Sequence, residues 1–156
     1  MNDVKYRNAT PGDAPAMQLL WRQFWSEQAY EANLVSKITS DPELVIVAET
    51  DGAIVGTVIG GWDGWWPWVY RLAVSKTHQR QGIATELLRL IHSRLMARGA
   101  DGACAIVNPD NAAMYALLKK LGYTEKKQRL LTCPMKKGTQ HAQHAVAGFA
   151  SQARQS

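Results

Sequence analysis

The sequence predicts an α/β protein built around one mixed sheet, with elements in the order β-α-α-β-β-β-α-β-α-β-β. Three observations predict this fold. Apolar residues recur at helical spacing in separate segments, β-rich runs lie between those segments, and Asp51-Gly52 joins two of the runs as a strong hairpin signal. These features fit one domain over residues 1–137, followed by a tail over residues 138–156 that is flexible or partly helical.

The first strand and the first helix are separated by a short turn. Residues 4–9 form a predicted strand, and Thr10-Pro11-Gly12-Asp13 supplies a turn and an N-capping residue for the helix that follows. Apolar side chains recur at i, i+3, i+4, i+7 and i+8 along that helix, which predicts one buried face. This face contains Met17, Leu20, Trp21, Phe24 and Trp25.

A second helix and a hairpin follow. Residues 31–39 have a weaker helical pattern, and Pro42 ends it because proline disfavours the helical conformation of the residue before it. Residues 44–50 and 53–60 are rich in β-branched side chains and pair as antiparallel strands across Asp51-Gly52.

The second half of the chain begins with a tryptophan-rich loop, residues 62–68, which leads into a strand that ends with residues 70–74. The helix that begins after Gly82 is amphipathic, and Gly99 closes it in the left-handed conformation. Its apolar stripe contains Ile83, Ala84, Leu87, Leu88, Ile91 and Leu95.

The last predicted elements are a short buried strand, a helix and two strands. The strand covers residues 103–107, the helix covers residues 111–121, and the final strands cover residues 123–127 and 129–135.

Composition and charge exclude several classes of protein. No run reaches the ~20 apolar residues that span a bilayer, so we expect a cytoplasmic protein without a membrane partner. Cys104 and Cys133 lie in apolar, strand-like runs and suit buried free thiols better than a disulfide or a metal site. The net charge of +5 is spread from Lys5 to Arg154, which disfavours nucleic acid and suits a small phosphate-bearing ligand.

The segment Gln79-x-x-Gly82-x-Ala84, between a strand and a helix, predicts an anion site. First-turn N–H groups have no partner within their helix, and the helix dipole attracts negative charge to that end. Gly82 tolerates positive φ and leaves room for a phosphate, and Gln79, Arg80 and Gln81 can add side-chain contacts to a pyrophosphate. The Gly-Lys-Ser/Thr ending of a P-loop is missing, so a metal-bound nucleoside triphosphate is a poor candidate.

Several short motifs occur along the chain in a particular order. They are Arg7-x-Ala9-Thr10-x-x-Asp13, Asp51-Gly52-x-Ile54-Val55-Gly56, Leu72-Ala73-Val74 before Gln79-x-x-Gly82-x-Ala84, Asn111, and Leu121-Gly122-Tyr123. Together they resemble the GNAT superfamily of N-acetyltransferases, in particular its short single-domain bacterial members. The resemblance covers residues 4–136.

This resemblance implies acetyl-CoA as cosubstrate, no metal, and a central sheet that splays beside residues 103–107. The pantetheine arm would bind the splayed strand end at Leu72, Ala73 and Val74. The pyrophosphate would bind Gln79, Arg80, Gln81, Gly82, Ile83, Ala84 and Thr85. Asn111 corresponds to a family asparagine that contacts the pantetheine or phosphate region, and it also suits a helix N-cap, so both roles can coexist.

The resemblance also implies direct attack by a primary amine of a small molecule or protein, in a ternary complex, with a backbone N–H near Ala73 or Val74 stabilising the oxyanion. Many relatives have a tyrosine that protonates the departing thiolate where this chain has Leu118. Tyr115, one turn earlier, is a candidate for that role. Side-chain packing for Tyr115 and proton transfer from water are the alternatives.

Three carboxylates are candidates for the general base: Glu49 at a strand end, Glu27 after the first helix, and Asp63 in the tryptophan-rich loop. Each also suits an ordinary solvated side chain, and a chain of water molecules is an alternative base.

The tryptophans predict an aromatic acceptor pocket. Trp62, Trp65 and Trp66 precede the central strand, Trp21 and Trp25 lie on the first helix, and these two regions flank the acceptor groove in the family that the chain resembles. Such a pocket would take an amine with an apolar or aromatic part, or a cation over a ring face. Core packing and a dimer contact are the alternatives, and the sequence leaves monomer and homodimer open.

Two other functions stay open at the level of sequence. A catalytically weak acyl-CoA sensor is suggested by Leu118, and a nucleic-acid-binding protein is suggested only by the net positive charge.

Overall fold

In the described part of the chain, five strands pair in chain order to form one sheet. The computed structural model describes residues 3–26 and 33–133. Strand pairs from β1 to β4 are antiparallel, and β4 and β5 are parallel. The strands are β1 Lys5–Asn8, β2 Val45–Thr50, β3 Ala53–Trp62, β4 Pro67–Val74 and β5 Cys104–Ala105. This mixed sheet confirms the predicted α/β class.

Helices lie on both faces of the sheet, as the side chains of β3 show. The α-helices of the described ranges are α1 Ala14–Trp21, α2 Leu34–Ser40, α3 Ile83–Ala97 and α4 Ala112–Lys120. Thr57 of β3 accepts a 2.9 Å hydrogen bond from Trp21 Nε1 of α1. A Cβ atom added at Gly60 would lie 2.9 Å from Ile91 Cδ1 of α3. Thr57 and Gly60 are three residues apart on the strand, so they face opposite sides of the sheet. The helices α1 and α3 therefore lie on opposite faces.

The apolar stripe predicted for α3 is confirmed. Its buried side chains are Ile83, Leu87, Leu88, Ile91 and Leu95. The helix ends as predicted at Gly99, which has φ 96°. Gly99 N–H donates to Met96 O at 2.9 Å and Ala100 N–H donates to Leu95 O at 3.1 Å, which is the Schellman arrangement.

The predicted hairpin is also confirmed, and it joins β2 to β3. Asp51 and Gly52 both have positive φ, 50° and 75°. This is the conformation that two-residue hairpin turns require.

A bulge interrupts the ladder between β3 and β4. Thr57 pairs with Ala73 and Ile59 pairs with Tyr70, so β4 has one residue more than β3 over this interval. Arg71 lies in the bulge with φ 48°, a conformation that side chains with a Cβ atom rarely adopt.

Two elements are shorter than predicted. The α1 helix ends at Trp21, so Met17, Leu20 and Trp21 are buried while Phe24 is 38% exposed in the following turn. The β5 strand has two residues rather than five, because its ladder with β4 stops at Val69 and Ala105.

The prediction of two final strands is wrong for the residues that the structure describes. Residues 123–133 have no strand, and Leu130 and Leu131 are 68% and 88% exposed. Cys133 is exposed rather than buried, and Cys104 is half-buried. Residues 134–156, which include the predicted tail, lie outside the described residues. The chain divides into one compact unit, Met1–Leu121, and a second unit, Gly122–Ser156.

Asp13 closes the turn between β1 and α1. Its carboxylate accepts hydrogen bonds from Arg7 Nη1 and Nη2 at 2.7 and 2.9 Å, and from Thr10 N–H at 2.7 Å. The Arg7 hydrogen bonds, helped by those from Thr10, lower the pKa of Asp13 to about 2.

We expect Asp13→Asn to reduce the free energy of unfolding by about 1–2 kcal/mol at neutral pH, allowing for solvent screening of the ion pair. Because the pKa of Asp13 is depressed in the folded state, this contribution is present above the usual value of 3.8 and is lost as the pH falls toward 2. Urea denaturation at a series of pH values measures the difference. The control is Asp101→Asn at an exposed position. A deficit that stays constant down to pH 2 would contradict the assignment.

Candidate functional site

The turn between β4 and α3 forms an open cradle at the N-terminus of α3. Gly82 has φ 82° and immediately precedes the helix, and Arg80 has φ 63°. Within the described chain no side chain caps this helix, and a Cβ atom at Gly82 would meet nothing within 4 Å. Outward N–H groups, the helix dipole and open space together suit an anion.

Hydrogen bonds hold the cradle against the sheet. Gln79 Nε2 donates to Val74 O at 3.2 Å, and Ser75 N–H donates to the β3 strand at 2.8 Å. The Gln79 amide therefore fastens the loop to the end of β4. Arg80 and Gln81 are the exposed polar side chains beside the helix N-terminus.

The first residues of α3 differ in what they can offer a ligand. The Ile83 side chain is buried in the core, so its contribution is limited to the backbone N–H. Ala84 is half-buried and Thr85 is exposed.

The β4 strand separates from β5 before it reaches this cradle. The last β4–β5 pair joins Val69 to Ala105, and within the described residues β4 is paired beyond that point with β3 alone. Leu72, Ala73 and Val74 lie in this stretch with buried side chains. The β5-facing edge of β4 is thus open where the sequence predicts the splay.

The α4 helix begins at a capping asparagine. Asn111 Oδ1 accepts a 3.0 Å hydrogen bond from Met114 N–H, which confirms the N-cap role. Its contact with a ligand stays a prediction. Leu118 is 5% exposed and packs inside the protein, whereas Tyr115 is 44% exposed on the outer part of the helix.

Glu49 lies away from the open edge of β4. It is on β2, with β3 between, which corresponds to ~10 Å at the usual strand spacing. Its carboxylate accepts a 2.8 Å hydrogen bond from Arg7 Nε. The geometry therefore gives Glu49 a structural partner and does not bring it to the strand end.

Asp63 organises the tryptophan-rich turn. Its Oδ1 accepts hydrogen bonds at 2.8 Å from the backbone N–H groups of Trp66 and Trp65, and these bonds lower the pKa of Asp63. Burial, together with the charge of Asp63, raises the pKa of Tyr70. Glu27, the other candidate base, lies outside the described residues.

The five tryptophans predicted to form a pocket do not share one surface. Trp21 is buried in the core at 3% exposed, and Trp65 is 79% exposed. Trp62 Nε1 donates to Arg98 O at the end of α3, at 3.1 Å, on the opposite face from α1. Trp25 follows α1 in the chain and is half-buried against the core.

An aromatic ladder runs along β4. The ring centroids of Trp66 and Trp68 are 6.2 Å apart, and those of Trp68 and Tyr70 are 6.1 Å apart. Tyr70 covers Gly61, because a Cβ atom there would lie 2.9 Å from Tyr70 Cε2. Gly61 is four residues from Thr57, so the ladder lies on the α1 face. The sequence placed Trp68 in the tryptophan-rich loop that flanks the predicted acceptor groove, but Tyr70 was not among the predicted site residues, although the spacing of two between them along a strand is a usable signal.

Arg71 is another residue that sequence reasoning missed. Its Cζ atom lies 5.1 Å from the ring centroid of Trp21 and 4.9 Å from that of Trp25. Thr57 Oγ1 donates to Arg71 O at 2.8 Å and accepts from Trp21 Nε1. This relay fixes α1, β3 and β4 to one another, and no local sequence pattern encodes it.

Within residues 3–26 and 33–133, no group of three or more His, Cys, Asp or Glu side chains is arranged to hold a metal ion. No helix of the same ranges has the length and apolar character needed to cross a bilayer.

Comparisons with known proteins point to one family. The family model described as the acetyltransferase (GNAT) family matches residues 14–123. An acetyltransferase of Photorhabdus laumondii is 38% identical over 98 residues, which are 63% of this chain and 68% of the relative.

Solved structures share the fold. An aminoglycoside N-acetyltransferase in complex with CoA aligns with a TM-score of 0.70 at 13% identity, over 87% of this chain and 97% of that one. The diaminobutyrate acetyltransferase of Paenibacillus lautus, in complex with L-2,4-diaminobutyric acid and coenzyme A, aligns with a TM-score of 0.69 at 23% identity, over 78% and 75%.

We expect Thr57→Val to lower the free energy of unfolding by about 1–3 kcal/mol, because it leaves the buried Trp21 N–H without its acceptor. Thr57→Ser keeps the hydroxyl and is the matched control, with a smaller loss expected. Urea denaturation followed by tryptophan fluorescence measures both. Wild-type stability in Thr57→Val would contradict the relay.

Proposed function

This chain belongs to the acetyltransferase (GNAT) family, and from that premise we propose that it moves the acetyl group of acetyl-CoA to a primary amine of a small molecule or protein. The amine attacks the thioester directly in a ternary complex. One observation carries the proposal: the open N-terminus of α3 lies next in sequence to the splayed end of β4. The use of acetyl-CoA supports a cytoplasmic location.

The residues present fit acetyl-CoA as a substrate. The pyrophosphate would occupy the cradle over Gly82, with Arg80 and Gln81 able to neutralise or bond its oxygens. The pantetheine arm would lie along the open edge of β4 at Leu72, Ala73 and Val74, as an added strand would. Buried side chains on those three residues support this role, because they hold the backbone edge rigid.

The chemistry needs proximity, an oxyanion donor and proton transfer. The amine nitrogen forms a bond to the acetyl carbon as the carbon–sulfur bond breaks, and the excess proton leaves the nitrogen. A backbone N–H near Ala73 or Val74 would stabilise the oxyanion, so no special side chain is required there. Asn111 would add a contact to the pantetheine or phosphate region from the start of α4.

Tyr115 is our proposed proton donor for the departing thiolate. Leu118 is committed to the interior, whereas Tyr115 is exposed and lies one turn closer to the start of α4. Glu49 is the weaker of the two catalytic candidates, because Arg7 already binds its carboxylate. A water molecule at the open edge of β4 is a sufficient base for the amine.

The acceptor would approach the α1 face of β4. Trp25 and the ladder of Trp66, Trp68 and Tyr70 supply aromatic surface on that face, which supports an acceptor with an apolar or planar part. The core position of Trp21 and the opposite-face contact of Trp62 make them weaker candidates for direct contact. Structural neighbours named for an aminoglycoside and for diaminobutyrate share the fold, so the fold alone does not select the amine.

We expect Gly82→Asp to abolish stabilisation by acetyl-CoA, because it adds a side chain and a negative charge to the cradle. For the wild-type protein, ligand at 100 times its Kd should stabilise the fold by ~2.7 kcal/mol, which a thermal shift measures readily. Gly52→Asp is the matched control, since Gly52 also has positive φ and open space around its Cβ position. Retained binding in Gly82→Asp would mean that the cradle is misplaced.

We expect Tyr115→Phe to lower kcat by about 10- to 100-fold with little change in acetyl-CoA affinity, because it removes the proton donor alone. Glu49→Gln should instead lower stability and leave kcat within about twofold. Steady-state kinetics across pH, combined with thermal shifts, separates the two outcomes. Unchanged kcat in Tyr115→Phe would leave water as the proton donor.

A further inference from the structure

Arg71 occupies an unusual position on the central strand. It lies two residues beyond the last β4–β5 pair, in the bulge, with φ 48°. The other two non-glycine residues of the described chain with positive φ have local explanations, Asp51 in the hairpin turn and Arg80 in the cradle. A strained backbone persists only when its surroundings hold it in place, and such positions cluster at functional sites.

Contacts hold Arg71 both at its guanidinium and at its backbone carbonyl. The indole rings of Trp21 and Trp25 both lie within about 5 Å of it, and Thr57 fixes its backbone carbonyl. The rings attract the positive charge of the guanidinium and do not accept hydrogen bonds from its N–H groups. The arginine is therefore preorganised, with its donors still available.

Among the described residues, Arg71 has no carboxylate partner, in contrast to the paired arginines of the same unit. Arg7 pairs with Asp13, Arg89 pairs with Glu86, and Arg98 pairs with Asp41. Arg71 is half-buried, and a partly desolvated charge is costly unless a counter-charge or a ligand satisfies it. A guanidinium with open donors matches the geometry of a carboxylate.

We propose that Arg71 binds a carboxylate of the acceptor, so that the acceptor is a small amine that also carries a carboxylate. This inference rests on the proposed transfer of an acetyl group to an amine. The position supports it, because an amine that attacks a thioester on the open edge of β4 passes beside the bulge. The aromatic ladder reaches Tyr70, the residue next to Arg71, and would contact the rest of the acceptor.

A carboxylate fits this position better than a phosphate. The guanidinium is flanked by two indole rings, which supply apolar surface and no second positive charge. A dianionic phosphate would require more positive charge than one arginine supplies. A single carboxylate is matched in charge by one guanidinium, which can donate two parallel N–H hydrogen bonds to its oxygens.

The test begins with the wild-type protein and matched acceptors. A panel of α-, β- and ω-amino acids is assayed for CoA release, each beside its own carboxamide. We expect the acids to have KM values at least about 10-fold lower than their amides, in line with a charge-assisted bidentate contact. Equal KM values, lower values for the amides, or activity confined to amines without a carboxylate would overturn the inference.

Variants assign the preference to Arg71. Arg71→Gln should raise the KM of the preferred acid by about 10- to 100-fold while the KM values of its amide and of acetyl-CoA stay unchanged. Arg71→Lys keeps the charge without the fork and should give an intermediate KM. Arg89→Gln, on the exposed side of α3, is the control and should leave the preference intact. A uniform loss for acid and amide would show a purely structural role and overturn the inference.

The outcomes separate this inference from the proposed function. Acetyl transfer without a preference for acids overturns the inference alone. Absence of transfer to every amine, with acetyl-CoA binding intact in the thermal shift, overturns the proposed function and the inference with it. If Arg71→Gln does not fold, the wild-type acid and amide pairs together with Arg71→Lys decide the question.

Discussion

The unequal pairing of β4 on its two edges is the constraint on which the site depends. On one edge β4 pairs with β3 from Pro67 to Val74, which anchors it in the core. On the other edge it pairs with β5 at only two positions. Unpaired backbone groups at a strand edge normally invite another chain. Here the open edge runs into the cradle before α3, so the same chain segment has unpaired backbone groups along the strand and at the helix N-terminus, as the proposed binding of an extended, phosphate-bearing substrate requires.

The core and the site share residues, and this sharing gives the site its rigidity. Trp21 is buried among the side chains that pack α1 against the sheet, yet its N–H reaches Thr57, whose hydroxyl holds the carbonyl of Arg71. In the β4 bulge, the guanidinium of Arg71 lies beside the indole ring of Trp21 in α1 and that of Trp25 in the chain after α1. A substitution in this relay would change stability, and under the role proposed for Arg71 it would change acceptor binding as well, because the same hydrogen bonds hold Arg71 in place.

Position 118 is where this chain departs from the pattern that its sequence resembles. Leu118 of α4 packs inside the protein, at the position where many members of the family that the sequence resembles have a tyrosine, so the proposed transfer would take the proton for the thiolate from another group. A thiol with a pKa near 8.5 is a good leaving group as thiolate, which limits what this replacement costs. The proposed reaction would therefore depend on positioning the amine as well as on proton transfer from Tyr115 or from water.

The sequence by itself determined the elements whose signals are local. The stripe of α3, the Asp51-Gly52 turn and the Gly82 cradle follow from spacing within a few residues, and the order of short motifs identified the family. Tertiary structure alone decided the extent of β5, the lack of strand structure over residues 123–133, and which aromatic side chains share a face. It also decided the position of Arg71 between two indoles. Strand register, bulges and cross-element contacts join residues far apart in the chain, so no local pattern of residue types specifies them.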